Sequence, residues 1–304
     1  MFGLTTKETF INQLKEMVEA KLGIDVKIIE FPKQGFTYTG MVLDKNNNEK
    51  NSASPVCNLD VFYDDYCKHP TYFTEVVDNV CDVLTTKLDY DFNNFFDWEY
   101  VSKRLYLSPV EISSHKDYLK DKVYFQVGDF AMIVRIMVDV LPDNSIVSTP
   151  VSKQLVKDSF KVSEKEVIDA AKLVYSIVFD FNMKKLSQII ENVAEVTNNI
   201  LDEIYIVNST VAGTTMNVDG AAMIFMDGVM EMVHERIGDF YFIPVNTEKV
   251  ACLPKTKLFN VASEKIKEFI ETIRCIVDAG ISDNPDFFLS DKVYEFDGKN
   301  LVQC

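Results

Sequence analysis

Cys67, Lys68 and His69 stand side by side, and no other point in the chain places a cysteine so near a histidine. A cysteine nucleophile needs a lowered pKa and a base within hydrogen-bond reach. The triplet supplies the residue types, although adjacent side chains seldom acquire useful mutual geometry. A second set of groups lies just before it. Asp60, Asp64 and Asp65 surround an expected strand end, with Tyr63 and Tyr66 among them. Carboxylates so placed can bind Mg²⁺ or share acid and base work. They equally suit a solvated strand end followed by a turn, where aspartate is favoured on conformational grounds.

The remaining chemistry is excluded by motif. The chain has no G-x-G-x-x-G, no phosphate-cradling G-x-x-x-x-G-K, no G-x-S-x-G and no H-E-x-x-H. His69, His115 and His234 are far apart in sequence. His234-Glu235 lacks the second histidine of a zinc helix and fits a histidine near helix-terminal carbonyls. No catalytic residue is assigned with more than the weak set Cys67, His69, Asp60, Asp64 and Asp65. No metal site and no cofactor is expected.

Two apolar features suit binding better than catalysis. Five of the eleven methionines fall between Met216 and Met232. They form either an adaptable groove or, as the spacing of Met223, Met226 and Met230 favours, core packing. The segment 89–100 holds six aromatics and four acids without a base, and contains the single tryptophan, Trp98. Its rings either wedge two domains together or, as Phe95, Phe96 and Trp98 would, dock a partner.

The elements that position these groups follow from periodicity. Thr5 with Glu8 reads as a capping box for a first helix carrying Phe10, Leu14, Met17 and Val18, stopped at Gly23. Strands are expected at 26–31, 36–43 and 57–63, and a helix at 72–88. This makes a small α-β-β-β-α domain over 1–88. The segment 89–100 is its connector. The larger domain, 101–304, shows strand patterns at 103–107, 123–127, 131–140, 203–208, 221–225, 240–245, 248–253 and 292–296. Helices are expected at 163–179, 182–198, 227–236 and 263–278, with Ser163 and Glu166 as a second capping box. Short connections between strands point to a mostly antiparallel sheet with helices on one face, an α+β fold.

Length and charge bound the rest. A chain of 304 residues, 47% hydrophobic, can bury a large core without staples. The net charge of −16 is spread as −4, −4 and −8 over 1–88, 89–145 and 146–304. Such a field repels phosphate backbones and anionic lipid, so direct nucleic-acid or membrane binding is not expected. A nucleic-acid mimic would concentrate its acids in a stripe. Cys57, Cys67, Cys81, Cys252, Cys275 and Cys304 form no C-x-x-C pair. With no secretion signal and no membrane-length apolar run, they are expected to be reduced in a cytoplasmic protein.

Four runs carry a resemblance. They are Asp219–Glu231 (DGAAMIFMDGVME), Gly238–Val250 (GDFYFIPVNTEKV), Leu289–Asp297 (LSDKVYEFD) and Gly128–Arg135 (GDFAMIVR). Together they resemble Domain of Unknown Function 5688, a family of uncharacterised bacterial proteins often found on mobile elements. The family pattern Leu-Pro-Ser-Ser-Ile-His-Glu is here Ile243-Pro-Val-Asn-Thr-Glu-Lys, so its histidine has no counterpart. The resemblance implies no established activity and transfers no site residue. The function that remains is a non-enzymatic interaction or regulatory protein whose partner is another protein. A hydrolase or transferase with dispersed active-site residues and an acidic nucleic-acid mimic are the alternatives.

Overall fold

In the computed structural model, residues 5–32, 37–44, 55–86, 92–140, 146–189, 203–258, 272–274 and 288–304 are described. The chain forms two compact units, Met1–Phe95 and Phe96–Cys304.

In the first unit, helix α1 (Lys7–Leu22) starts at Thr6, whose hydroxyl accepts from the Thr9 amide. Thr5, the expected cap, instead meets the Tyr66 hydroxyl at 3.2 Å. Phe10, Leu14 and Val18, four residues apart, turn one face inward, and Gly23 closes the helix at φ 65°. Strands β1 (Val26–Pro32), β2 (Thr37–Leu43) and β3 (Cys57–Asn58) form an antiparallel sheet in that order. Gly40 is required there, because a Cβ would lie 2.5 Å from the Phe31 ring.

The third strand corrects the sequence reading. It lasts two residues and passes directly into α2 (Leu59–Lys68), so the unit is α-β-β-β-α-α. The Asn58 side chain caps α2 by accepting from the Asp60 amide. Leu59, Phe62, Tyr63 and Tyr66 follow at helical spacing and pack on the core. Within residues 57–63 alone, alternation imitates a strand. Helix α3 (Phe73–Thr85) follows, with Val76, Val77, Val80 and Leu84 buried. The Phe10 ring is surrounded by Tyr63, Tyr66 and Phe73 at 5.0–5.7 Å.

The second unit holds two antiparallel sheets rather than one. It opens with α4 (Trp98–Val101), β4 (Leu105–Glu111), α5 (Lys116–Leu119), β5 (Tyr124–Val127), β6 (Phe130–Val140) and β7 (Ile146–Pro150). Strands β4, β6 and β5 pair in that order, and β7 adds to β6. Helix α6 (Lys153–Leu155) leads to α7 (Glu164–Val178), which starts with the expected Ser163–Glu166 capping box. Strands β8 (Phe179–Lys185) and β9 (Tyr205–Val211), helix α8 (Val229–Ile237), and strands β10 (Phe240–Asn246), β11 (Lys249–Pro254), β12 (Tyr294–Phe296) and β13 (Leu301–Gln303) complete the unit. The second sheet runs β13-β12-β10-β11-β9-β8. Phe130 of the first sheet packs against Phe242 and Tyr294 of the second, with Phe225 between.

Two expectations change here. The segment from Asn182 is strand β8, not helix, as far as Lys185. Phe179 leaves the helical region at φ −115°, ψ 124° and stacks on Tyr175 at 4.4 Å. Residues 221–225 are not a strand. They lie in a 3₁₀ helix, Gly220–Phe225, in which all six residues are buried. A run buried on every side carries no alternation to betray its type. Of the helix expected over 263–278, only 272–274 are described, and they are helical; the rest lies outside the described residues.

Candidate functional site

Helix α7 is central to the second unit, and its two sides differ. Inward it presents Val167, Ala171 and Tyr175. The Tyr175 hydroxyl meets Ser209 Oγ of β9 at 2.8 Å in a fully buried pair. Beside it lies a polar cluster assembled from the first sheet and from loops of the second. Arg135 of β6 donates to the Tyr106 hydroxyl at 3.0 Å and, through Nη2, to Ser148 Oγ at 2.9 Å. Tyr106 and Ser148 are themselves 2.8 Å apart.

The acid of this cluster is Asp219, held in the left-handed region at φ 47°, ψ 39°. Gly220, next to it, leaves no room for a Cβ, which would lie 2.6 Å from the Ser209 carbonyl oxygen. The Gly220 amide donates to Asn217 Oδ1 at 2.9 Å, and Asn217 Nδ2 donates to the Glu248 carbonyl at 3.0 Å. The loop is thereby pinned to the β10–β11 turn. Burial pushes the Asp219 carboxyl above the usual carboxylate range, against the opposing pull of Arg135 and of the Ser108 and Thr247 hydroxyls. The residue keeps part of its surface exposed, whereas its carboxyl group is enclosed. Thr247 Oγ1 faces that carboxyl yet makes no hydrogen bond of good geometry among the described residues. Burial also raises Glu248, Lys249 opposes, and Asp219 adds to the rise.

A second polar cluster surrounds Glu111 at the end of β4. Its carboxylate accepts from Lys292 Nζ at 2.7 Å, Ser290 Oγ at 3.2 Å and Ser114 Oγ at 2.9 Å. Burial works against ionisation here, but Lys292 and Ser114 outweigh it and hold Glu111 below the ordinary range. His115 Nδ1 lies 2.8 Å from the Glu111 carbonyl oxygen. In the same region the Tyr294 hydroxyl donates to Asp129 Oδ2 at 3.2 Å.

Over its last two turns the outward side of α7 exposes apolar residues. Leu173 and Ile177, one turn apart, are 61% and 70% exposed. Clefts lie on both flanks. One, of about 510 Å³, runs between Val174 and Val178 of α7 and the segment carrying Asp97, Glu99, Tyr100 and Arg104. The Arg104 guanidinium lies over the Tyr100 ring at 4.5 Å. The other, of about 520 Å³, is bordered by Tyr175, Phe179, Phe181, Met223 and Met226. Met223 and Met230 are buried as expected, but Met226 is half-buried on this second cleft.

The residues singled out from sequence are placed as follows. Cys67 lies in the last turn of α2, beside the Tyr63 hydroxyl. His69 is exposed, with its ring 5.8 Å from that of Tyr72, and no contact joins it to Cys67 among the described residues. Asp60 pairs with Lys7 at 2.9 Å and accepts from the Thr39 amide at 3.3 Å. Asp64 and Asp65 are exposed on α2. Among the described residues no cluster of histidine, cysteine, aspartate or glutamate could hold a metal ion. Phe95 and Phe96 lie in a 3₁₀ helix, Phe92–Phe96, and Phe96 is 37% exposed. Trp98 packs on Phe160 at 5.5 Å. His234, in the last turn of α8, bonds the Asp239 carboxylate at 2.9 Å. Cys57, Cys67, Cys81, Cys252 and Cys304 are free thiols; Cys275 lies outside the described residues. No helix of the described residues is long and apolar enough to cross a membrane.

The polar clusters at Asp219 and Glu111 escaped sequence reasoning. Ser290 and Glu111 are 179 residues apart, and such pairings leave no local trace. Asp219-Gly220 did leave a turn signal, but the apolar run behind it pointed to a strand.

The chain belongs to a family of unknown function, DUF5688, whose model matches residues 7–298. No curated protein and no solved structure matches it.

Proposed function

We propose that the chain is a non-enzymatic interaction protein of the bacterial cytoplasm, and that its partner, another protein, docks on the outer side of α7. The observation that carries this reading is the exposure of Leu173 and Ile177 as neighbours on one helix face. Contiguous apolar surface is costly to leave in water, and rimmed by polar groups it marks interaction sites. The cleft beside it supplies such a rim, with Asp97, Glu99, Lys103 and Arg104 around Val174 and Val178. Tyr100 and Arg104 are of the residue types that dominate binding energy at interfaces. The aromatic segment containing Phe96 and Trp98 leads into the same wall. Free thiols suit a reducing compartment.

The test is affinity capture from the native host with the wild-type chain and with a Leu173→Asp/Ile177→Asp variant. A protein retained by the first and lost by the second, with unchanged melting, supports the proposal. Equal capture by both overturns it.

A second reading, a hydrolase or transferase, rests on Asp219, whose strained backbone and raised carboxyl are features found at functional sites. The first reading is preferred because Tyr106, Ser108 and Tyr175 around that carboxyl are buried. A reaction abolished by Asp219→Asn in a chain that still folds would reverse the preference.

A further inference from the structure

Strand β8 ends the six-stranded sheet, and among the described residues its outer edge pairs with no strand. Its register with β9 is unbroken from Phe179–Val211 to Lys185–Tyr205. The bonds Ala212 N–H to Val178 C=O and Leu186 N–H to Ile204 C=O, both 2.8 Å, bracket this ladder and set its phase. Even-numbered residues of β8 therefore exchange hydrogen bonds with β9, and the backbone groups of Phe181 and Met183 point to the open edge. An edge of this length without a bulge or proline is a template for another strand.

We infer that the strand it takes is β8 of a second copy of this chain, paired antiparallel about a twofold axis at Asn182. The pattern of the strand selects this occupant. Centred on Asn182, the pairing sets Phe181 opposite the second copy's Met183, and Met183 opposite its Phe181. Both residues offer outward backbone groups, so the two pairs close four N–H···O=C bonds. On the solvent face, the same register sets Asp180 opposite the second copy's Lys184, and the reverse. Asp180 and Lys184 are exposed, and neither forms an ion pair among the described residues. The Asp180 carboxylate accepts a long contact from the Gly213 amide at 3.4 Å. Opposite charges directly across a ladder stabilise it and like charges destabilise it. A twofold contact must be self-complementary, and this strand is. The two sheets then continue into one.

The experiment is sedimentation of the full chain over a range of concentrations. Wild type should dimerise. Asp180→Lys and Lys184→Asp should each weaken the dimer roughly tenfold, because two attractions become two repulsions. An equimolar mixture of these two variants should recover wild-type association, since each like-charged edge then faces its opposite. Melting curves check that the single variants fold. A wild type that stays monomeric at every concentration overturns the inference. So does a dimer indifferent to both substitutions, or variants whose mixture fails to recover. None of these outcomes depends on a partner at Leu173 and Ile177.

Discussion

The inner and outer sides of α7 are built in opposite senses over its last two turns. Inside, Tyr175 reaches a serine within a polar cluster; outside, Leu173 and Ile177 face water. The first half of the helix is conventional, with Val167 and Ala171 buried and Lys165 paired with Asp169 at the surface. Both departures carry a cost. Buried charges lose hydration that their pairing only partly restores. Exposed apolar neighbours lose the gain that burial would bring. The inner departure is repaid within the unit, because Arg135, Tyr106 and Ser148 satisfy one another across β4, β6 and β7. The outer one meets no such return among the described residues, which is why the proposed partner is placed there.

Removing the charged centre should have the largest effect. Arg135→Ala removes the charged donor that the Tyr106 and Ser148 hydroxyls share, and unfolding by denaturant should show a loss of roughly 3–5 kcal/mol, at about 1.5–3 kcal/mol for each charged hydrogen bond. A loss below about 1 kcal/mol would mean that the cluster does not hold the two sheets together.

The two buried carboxylates sharpen the contrast through pH. Glu111 is held low, so its contribution is present above its unfolded value of about 4.3 and is lost as pH falls through the lower folded value. Glu111→Gln should cost roughly 1.5–3 kcal/mol at neutral pH, with the gap to wild type closing on acidification. Asp219 has the opposite sign. Its folded value is raised, so protonation favours the folded state and the stability tied to it declines as pH rises through that value. Melting temperatures of Glu111→Gln and Asp219→Asn against pH should diverge from wild type in opposite directions. Parallel profiles would show that the two environments are alike.

Tyr175→Phe removes only the hydroxyl facing Ser209 and should cost about 1 kcal/mol. Leu173→Asp/Ile177→Asp, on the opposite side of the same helix, should change stability by less than about 0.5 kcal/mol. If the outer variant is the more damaging, the apolar pair is part of the core.

Much of the fold was legible from period and caps. Ser163 with Glu166, and Gly23, mark their helix ends in the structure as they do in the sequence. The errors share a cause. In residues 57–63, 182–185 and 221–225 the stretches are short and strand and helix patterns coincide, while 190–198 of the expected helix lie outside the described residues. Asn58 as a cap and the stacking of Phe179 on Tyr175 decided two of them, and the second is a tertiary contact as much as a local one. The site was less legible. The exposure of Leu173 and Ile177 depends on which side of α7 meets the sheets, and an apolar pair at helical spacing looks like core until that is known. Arg135, Asp219 and Tyr106 come together only when β4, β6 and the loop after β9 meet.

Hydroxyl-radical footprinting of the complex captured from the host, compared with the free chain, tests the assignment of α7 most directly. Leu173 and Ile177 should be strongly labelled in the free chain and protected in the complex, with Tyr175 unlabelled in both. Equal labelling of Leu173 and Ile177 in the free and bound states would contradict it.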